Sequence, residues 1–321
     1  MSQRLRWSRR LLFILGLGLL GCASGGGGSD SGSSDSGTNS ATDNPGAFSS
    51  GEGSLANCAT KDLDFETRME LASLFNDFSA LQRRSTARDV FAPIPVLFHV
   101  ITKGDTFEDG NLSDSAIAAQ VDFLNQVFSG QTGNIATPFR FELAGIDRVT
   151  KPEWFTMAPG SQQEVDAKSA LHQGGPNTLN LYTVNTEGGV LGFSTFPILY
   201  LALPMFDGVV INFRTLPGGT FNHYSRGLVA VHEVGHWLGL LHTFQGECDA
   251  FFNDLVQDTP AEKLPEKGEF CPTSRDSCPD IEGSDPIHNH MTYTADECRS
   301  EFTPGQVDLM RFNSLTFRGL F

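Results

Sequence analysis

The most chemically loaded stretch of the chain is VAVHEVGHWLGLLH, residues 229–242. His232 and His236 stand four residues apart, so on a helix both imidazoles project from one face. Two neutral histidines so placed can hold Zn²⁺ at about 2.0–2.1 Å. Glu233 sits beside the first of them and can reach a metal-bound water as its general base. Gly239 allows the helix to end in a left-handed turn, after which His242 can swing back as a third ligand and leave a fourth position open. From average composition, HExxH arises by chance in a chain this long about once in a hundred, and the added Gly and His lower that by roughly another 500- to 1000-fold. A helix of buried, metal-free histidines is a poor competitor to zinc binding.

Two further groups of residues carry chemistry. The loop NDLVQDTP, residues 253–260, offers Asp254, Asp258, Thr259 and intervening carbonyls such as that of Val256, all hard oxygen donors suited to Ca²⁺. A solvated acidic loop is the plain alternative. Of the six cysteines, Cys248, Cys271, Cys278 and Cys298 cluster in a loop-rich segment. Four such cysteines in an exported chain point to two disulfides, for which three connectivities exist. A second zinc site would want a CxxC pair, which this spacing lacks.

The elements that must position these residues are legible in outline. IPVLFHVI (94–101), FRFELAGI (139–146), LNLYTV (179–184) and GVVINF (208–213) read as strands, and LGFSTFP (191–197) as an edge strand ending at a proline. Apolar spacing predicts helices over 62–84 and from Ser113 to Ser129, the latter with Ser113 as N-cap and Ile117, Val121, Leu124 and Phe128 on one face. A terminal helix follows from Pro304 to Ser314. Strands, then the zinc helix, then a loop-rich cysteine-bearing end indicate an α/β (α+β) architecture. The expected form is a twisted mixed sheet with backing and active-site helices, followed by a loop-rich disulfide-bonded C-terminal subdomain.

The N-terminus carries an address. Arg4, Arg6, Arg9 and Arg10 precede the apolar stretch LLFILGLGLL at 11–20, a short export signal rather than a structural helix. It ends in Leu19-Leu20-Gly21-Cys22, which resembles a bacterial lipobox, with Cys22 as the lipidated residue. Thirteen of the seventeen residues from Ser24 to Ser40 are Ser or Gly, the composition of a flexible tether. The predicted organisation is a lipoprotein signal peptide at 1–21, a tether at 22–56, a possible prosegment at 57–92 and a catalytic domain at 93–321. The expected location is a bacterial outer membrane or cell surface, with release possible after cleavage near Arg83-Arg84. No apolar run reaches the ~20 residues of a bilayer span. A formal net charge of −16 argues against nucleic acid as a partner, because phosphate binding needs a basic face.

The extended zinc motif resembles that of the metzincin metallopeptidases. Within them the chain is similar to the pappalysin family, peptidase family M43, of the small bacterial and archaeal type. The likeness spans about residues 57–317 and includes VLFHVI, DGVVINF, HTF (242–244), QDTP (257–260), MTYTADEC (291–298) and FTPGQVDLMR (302–311). It implies a metzincin-like zincin fold and a zinc metalloendopeptidase, a hydrolase of EC 3.4.24 type acting on proteins or peptides. Met291 would form the Met-turn beneath the metal, and Tyr293 would stabilise the tetrahedral intermediate. The resemblance favours the pairs Cys248–Cys278 and Cys271–Cys298 and strengthens the case for calcium after the third zinc ligand, with Asp254, Val256 and Thr259 as its ligands. NCAT around Cys58 resembles a short pappalysin prosegment motif, so this thiolate is a candidate to close the open zinc position. The family commonly has Asn-Tyr before its Met and Asp after it, where this chain has Asn289-His290 and Thr292. His288 and His290 receive no ligand role.

The same resemblance implies that the segment after Met291 would line the pocket for the residue that follows the scissile bond. Asp296 there is expected to pair with Arg or Lys of a substrate. The rival class is a non-catalytic surface lipoprotein or adhesin on the same scaffold. Retention of Glu233 speaks against it, because a pseudoenzyme has no need of the base.

Overall fold

The computed structural model describes residues 58–82, 91–133, 135–249, 253–266 and 270–320. The export signal, Cys22, the Ser/Gly tether and Arg83-Arg84 lie outside the described residues. Five strands form a sheet in the order β2-β1-β4-β6-β5, with the two-residue β3 (Thr156–Met157) pairing with β4 off this path. β1 (Ile94–Thr102) pairs in parallel with β2 (Phe141–Thr150) on one side and β4 (Leu179–Thr186) on the other. β4 pairs in parallel with β6 (Val209–Asn212), and β5 (Gly192–Ser194) closes the edge antiparallel to β6. The central strands read as nearly continuous apolar runs because both faces are covered, and β4 and β6 are buried along almost their whole lengths.

Helix α1 (Phe65–Gln82) falls inside the predicted span and lays Phe75 and Phe78 against Phe312 of α5 (Pro304–Asn313). α2 (Asp114–Phe128) begins at the predicted cap, where the Ser113 side chain accepts from the Ala116 amide. Its buried face carries Ile117, Val121, Leu124 and Phe128, and packs on β2 and on the site helix α4 (Leu228–Trp237). From the same face Gln120 Nε2 donates to the Gly227 carbonyl at 3.1 Å, fixing the start of α4.

The ten-residue helix α3 (Gln162–Leu171) has no counterpart in the sequence reading. Its inward face is made of Glu164, Ala167 and Lys168, which is polar and defeats an apolar-period search. The Lys168 ammonium is buried in a 2.7 Å pair with Glu164 and lies over the rings of Tyr182 and Phe193. Among the described residues no helix is long and apolar enough to cross a membrane. Beyond β6 and α4 the chain runs as loops, pinned by disulfides Cys248–Cys278 and Cys271–Cys298, before α5 begins.

Candidate active site

Every residue of α4 is buried, so the helix delivers its histidines into the protein rather than to solvent. The helix stops at Trp237 because Gly239 turns left-handed at φ 101°, and a side chain there would meet Asn313. This reversal brings His242 back toward the helix. The three Nε2 atoms converge, His236 lying 3.1 Å from His232 and 3.0 Å from His242. His232 Nδ1 donates to the His290 carbonyl and His236 Nδ1 to the Leu240 carbonyl, each at 2.7 Å. Those bonds commit both Nδ1 atoms as donors, so the facing Nε2 atoms of His232 and His236 present lone pairs to one another. Burial, then the neighbouring imidazoles, hold both histidines well below the ordinary imidazole range, so protonation does not relieve the contact. Converging buried lone pairs without a proton between them require a cation. The donor set and its outer hydrogen bonds fit zinc.

Cys58 is the fourth member of this group: its Sγ and the three histidine nitrogens all lie within 4.8 Å of one another. Among the described residues it is the free cysteine. Its strand segment bridges Gly192 of β5 in parallel, and the Ala59 amide donates to the Gly192 carbonyl at 2.8 Å. The edge of the sheet beside the site is thus occupied by the chain's own upstream segment. Glu233 is fully buried, and desolvation pushes its carboxyl up to about 8. Its Oε2 accepts from the Thr60 hydroxyl at 3.0 Å and from the Cys58 thiol at 3.4 Å. Thr60 in turn accepts the Ser194 amide at 2.8 Å, stitching the segment to the edge strand.

Met291 is fully buried under α4. A methyl at Gly235 would sit 2.5 Å from its sulfur, so only glycine permits this approach. The turn is held from below: Asn289 Oδ1 accepts the Met291 amide at 2.9 Å, and Asn289 and Gln306 exchange two amide bonds. Tyr293 packs against His242 and His232, and its hydroxyl donates to the Cys58 carbonyl at 2.8 Å. Burial, then Cys58 and Glu233, raise its phenol well above the usual range and keep it a proton donor. His290 is buried as a neutral ring, and His288 Nδ1 bonds the Cys298 carbonyl, so neither joins the histidine cluster.

Asp254, Val256 and Thr259 also come together. The Thr259 hydroxyl lies 2.8–2.9 Å from both Asp254 oxygens and 2.9 Å from the Val256 carbonyl. Burial pushes the Asp254 carboxyl up to about 8. Asp258 departs from this group, accepting from the Thr303 hydroxyl and the Gly305 amide at the start of α5. Asp296 is not free for a substrate. Its Oδ1 is 2.6 Å from Arg299 Nη2, and its Oδ2 accepts the Arg226 amide at 2.8 Å. Glu297 turns outward to His223. Sequence reasoning singled out neither Thr60 nor Arg299. Thr60 stands two residues from Cys58, and Arg299 is a cation beside an acidic pair, but neither signal specifies a partner.

A helix delivering two histidines, a third returned by a glycine turn and a buried glutamate beside them define a zinc metallopeptidase. Residues 207–314 match the peptidase M43 family described as pregnancy-associated plasma protein-A. The chain is 41% identical over 231 residues to an extracellular metalloprotease of Podospora anserina, covering 69% of this chain and 74% of that protein. Against one from Pyricularia oryzae it is 40% identical, covering 72% and 78%. Mature mirolysin of Tannerella forsythia, solved with a cleaved peptide, superposes with a TM-score of 0.61 at 26% identity, covering 72% of this chain and 97% of that one. A promirolysin mutant gives 0.64 at 25% identity, covering 81% and 95%. The chain belongs to peptidase family M43, an extracellular metalloprotease with the mirolysin-like metzincin fold. These two curated relatives are fungal, where the sequence pointed to the bacterial and archaeal type.

Proposed function

We propose that the protein is an endopeptidase made as a latent precursor, with Zn²⁺ held by His232, His236 and His242. The observation that carries this reading is the convergence of three buried Nε2 atoms, two of them committed as acceptors by their outer hydrogen bonds. When bound, zinc supplies a Lewis acid and a fixed positive charge at the scissile carbonyl. Glu233 takes a proton from the attacking water and passes it to the leaving amine. The Tyr293 phenol donates to the carbonyl oxygen as negative charge develops there. An extended substrate pairs with edge strand β5, giving backbone-based binding. The pocket lined by Thr294 and its neighbours receives the side chain after the scissile bond. In the test, Glu233→Ala keeps its metal by elemental analysis and loses hydrolysis, whereas His236→Ala loses both. Equal turnover by Glu233→Ala and wild type would sink the mechanism.

Residues 57–92 act as a prosegment ahead of a catalytic domain at 93–321. Cys58 would join the three histidines in holding the metal and so block it from substrate, while the hydroxyl of Thr60 occupies Glu233. The wider coverage of this chain by promirolysin than by mature mirolysin supports that division. Asp254, the Val256 carbonyl and Thr259 form a calcium site, supported by their mutual approach in a buried loop. Residues 1–21 are the export signal and 22–56 a tether, with Cys22 lipidated at a bacterial surface. Leu19-Leu20-Gly21-Cys22 supports that anchor, and membrane fractionation of Cys22→Ala against wild type tests it.

A further inference from the structure

The small cleft at the active site is lined on one side by Glu233 and His232. Away from them its wall is built from Leu191, Tyr224, Val229, Thr294 and Arg299. The lining contains a guanidinium and, apart from Glu233, no carboxylate. Asp296 lies behind Arg299, with its side chain fully enclosed and both oxygens taken, one by Arg299 Nη2 and one by the Arg226 amide. The Arg299 side chain is itself only 4% exposed, so it has no route out of the pair. Its Nε is buried and has no hydrogen-bond acceptor among the described residues. A buried donor left in this state costs free energy that an incoming acceptor recovers. The cation's field also reaches the site, since it bears on His232, Glu233, Tyr224 and His290.

We propose that Arg299 is a specificity-determining residue that turns this pocket toward side chains ending in a carboxylate or amide oxygen and against Lys and Arg. The inference rests on the peptidase reading above, which places the residue after the scissile bond in this pocket. An internal guanidinium already satisfies the one anion a basic substrate would seek. A second cation would enter beside the first, with no unpaired carboxylate on that wall to receive it. A Gln, Glu, Asn or Asp side chain supplies what Arg299 Nε lacks. Leu191, Val229 and Tyr224 accommodate its methylene stem.

The test uses the activated wild-type enzyme and a peptide series that differs only in the residue after the scissile bond: Gln, Glu, Leu, Arg and Lys. The expected result is a kcat/KM at least about tenfold higher for Gln and Glu than for Arg and Lys. Arg299→Met should reverse that order by uncovering Asp296, and adding Asp296→Leu to it should abolish any charge preference. A wild-type preference for Arg or Lys overturns the assignment, as does an Arg299→Met profile that matches wild type. If Arg299→Met does not fold, the wild-type series decides alone. Activity with the wrong order refutes only the role of Arg299, whereas no hydrolysis of any peptide or protein refutes the peptidase reading with it.

Discussion

Thr60→Val removes one hydroxyl and almost no volume, yet it should unlock the precursor. In the latent arrangement that hydroxyl donates to Glu233 Oε2 at 3.0 Å and accepts the Ser194 amide at 2.8 Å. Valine leaves the buried carboxylate without this donor and the amide without its acceptor. The Ser194 amide is only partly buried and can recover by binding water, so the main loss is the bond to Glu233. A buried hydrogen bond to such a group stabilises by about 1–3 kcal/mol. Removing it from the closed state alone raises the open fraction by roughly 5- to 150-fold. The assay is turnover of a quenched fluorescent peptide by precursor carrying Arg83→Ala and Arg84→Ala, with intact length verified by mass spectrometry. Thr60→Ser keeps the hydroxyl and should stay as silent as its parent. Thr60→Val precursor within about twofold of its parent would refute the idea that this hydroxyl holds the segment closed.

Three further outcomes are expected. Asp207 and Arg318 form a fully buried pair at 2.7 Å, with the guanidinium over Trp237 at the end of α4. Asp207→Ala should therefore cost about 3–5 kcal/mol in chemical denaturation, and less than about 1 kcal/mol would contradict the burial argument. His99 is buried between Asn180, Asp147 and the Tyr182 ring, and desolvation lowers its pKa from 6.5 despite the carboxylate. Folding favours its neutral form, so its contribution is complete above the unfolded value of 6.5 and is lost as pH falls below it. His99→Gln should flatten the fall in melting temperature between about pH 7 and about pH 5, and parallel slopes for variant and wild type would refute this. Calcium added to chelator-treated protein should raise its melting temperature by several degrees through binding to the folded state. The same shift in Asp254→Asn would remove the loop from that role.

What the sequence determined by itself is what local geometry determines. His232, Glu233 and His236 lie within one helical turn and a half, so their spacing alone aligns them. Gly239 marks the reversal that returns His242, because only a left-handed residue ends the helix there. β1, β4 and β6 were legible because strands covered on both faces are continuously apolar. The cysteine pairing was legible only through the family likeness, since three connectivities fit the spacing equally. Helix α3 escaped because its buried side is an ion pair whose cost is offset by Tyr182 and Phe193, residues on other strands. Asp296 read as a free acid because its neutralising partner is a matter of side-chain direction, which Arg299 supplies only in the fold. The contact of Cys58 and Thr60 with Glu233 joins residues more than 170 positions apart. No local pattern encodes such a contact; it exists because the edge strand β5 offers the upstream segment a place to pair.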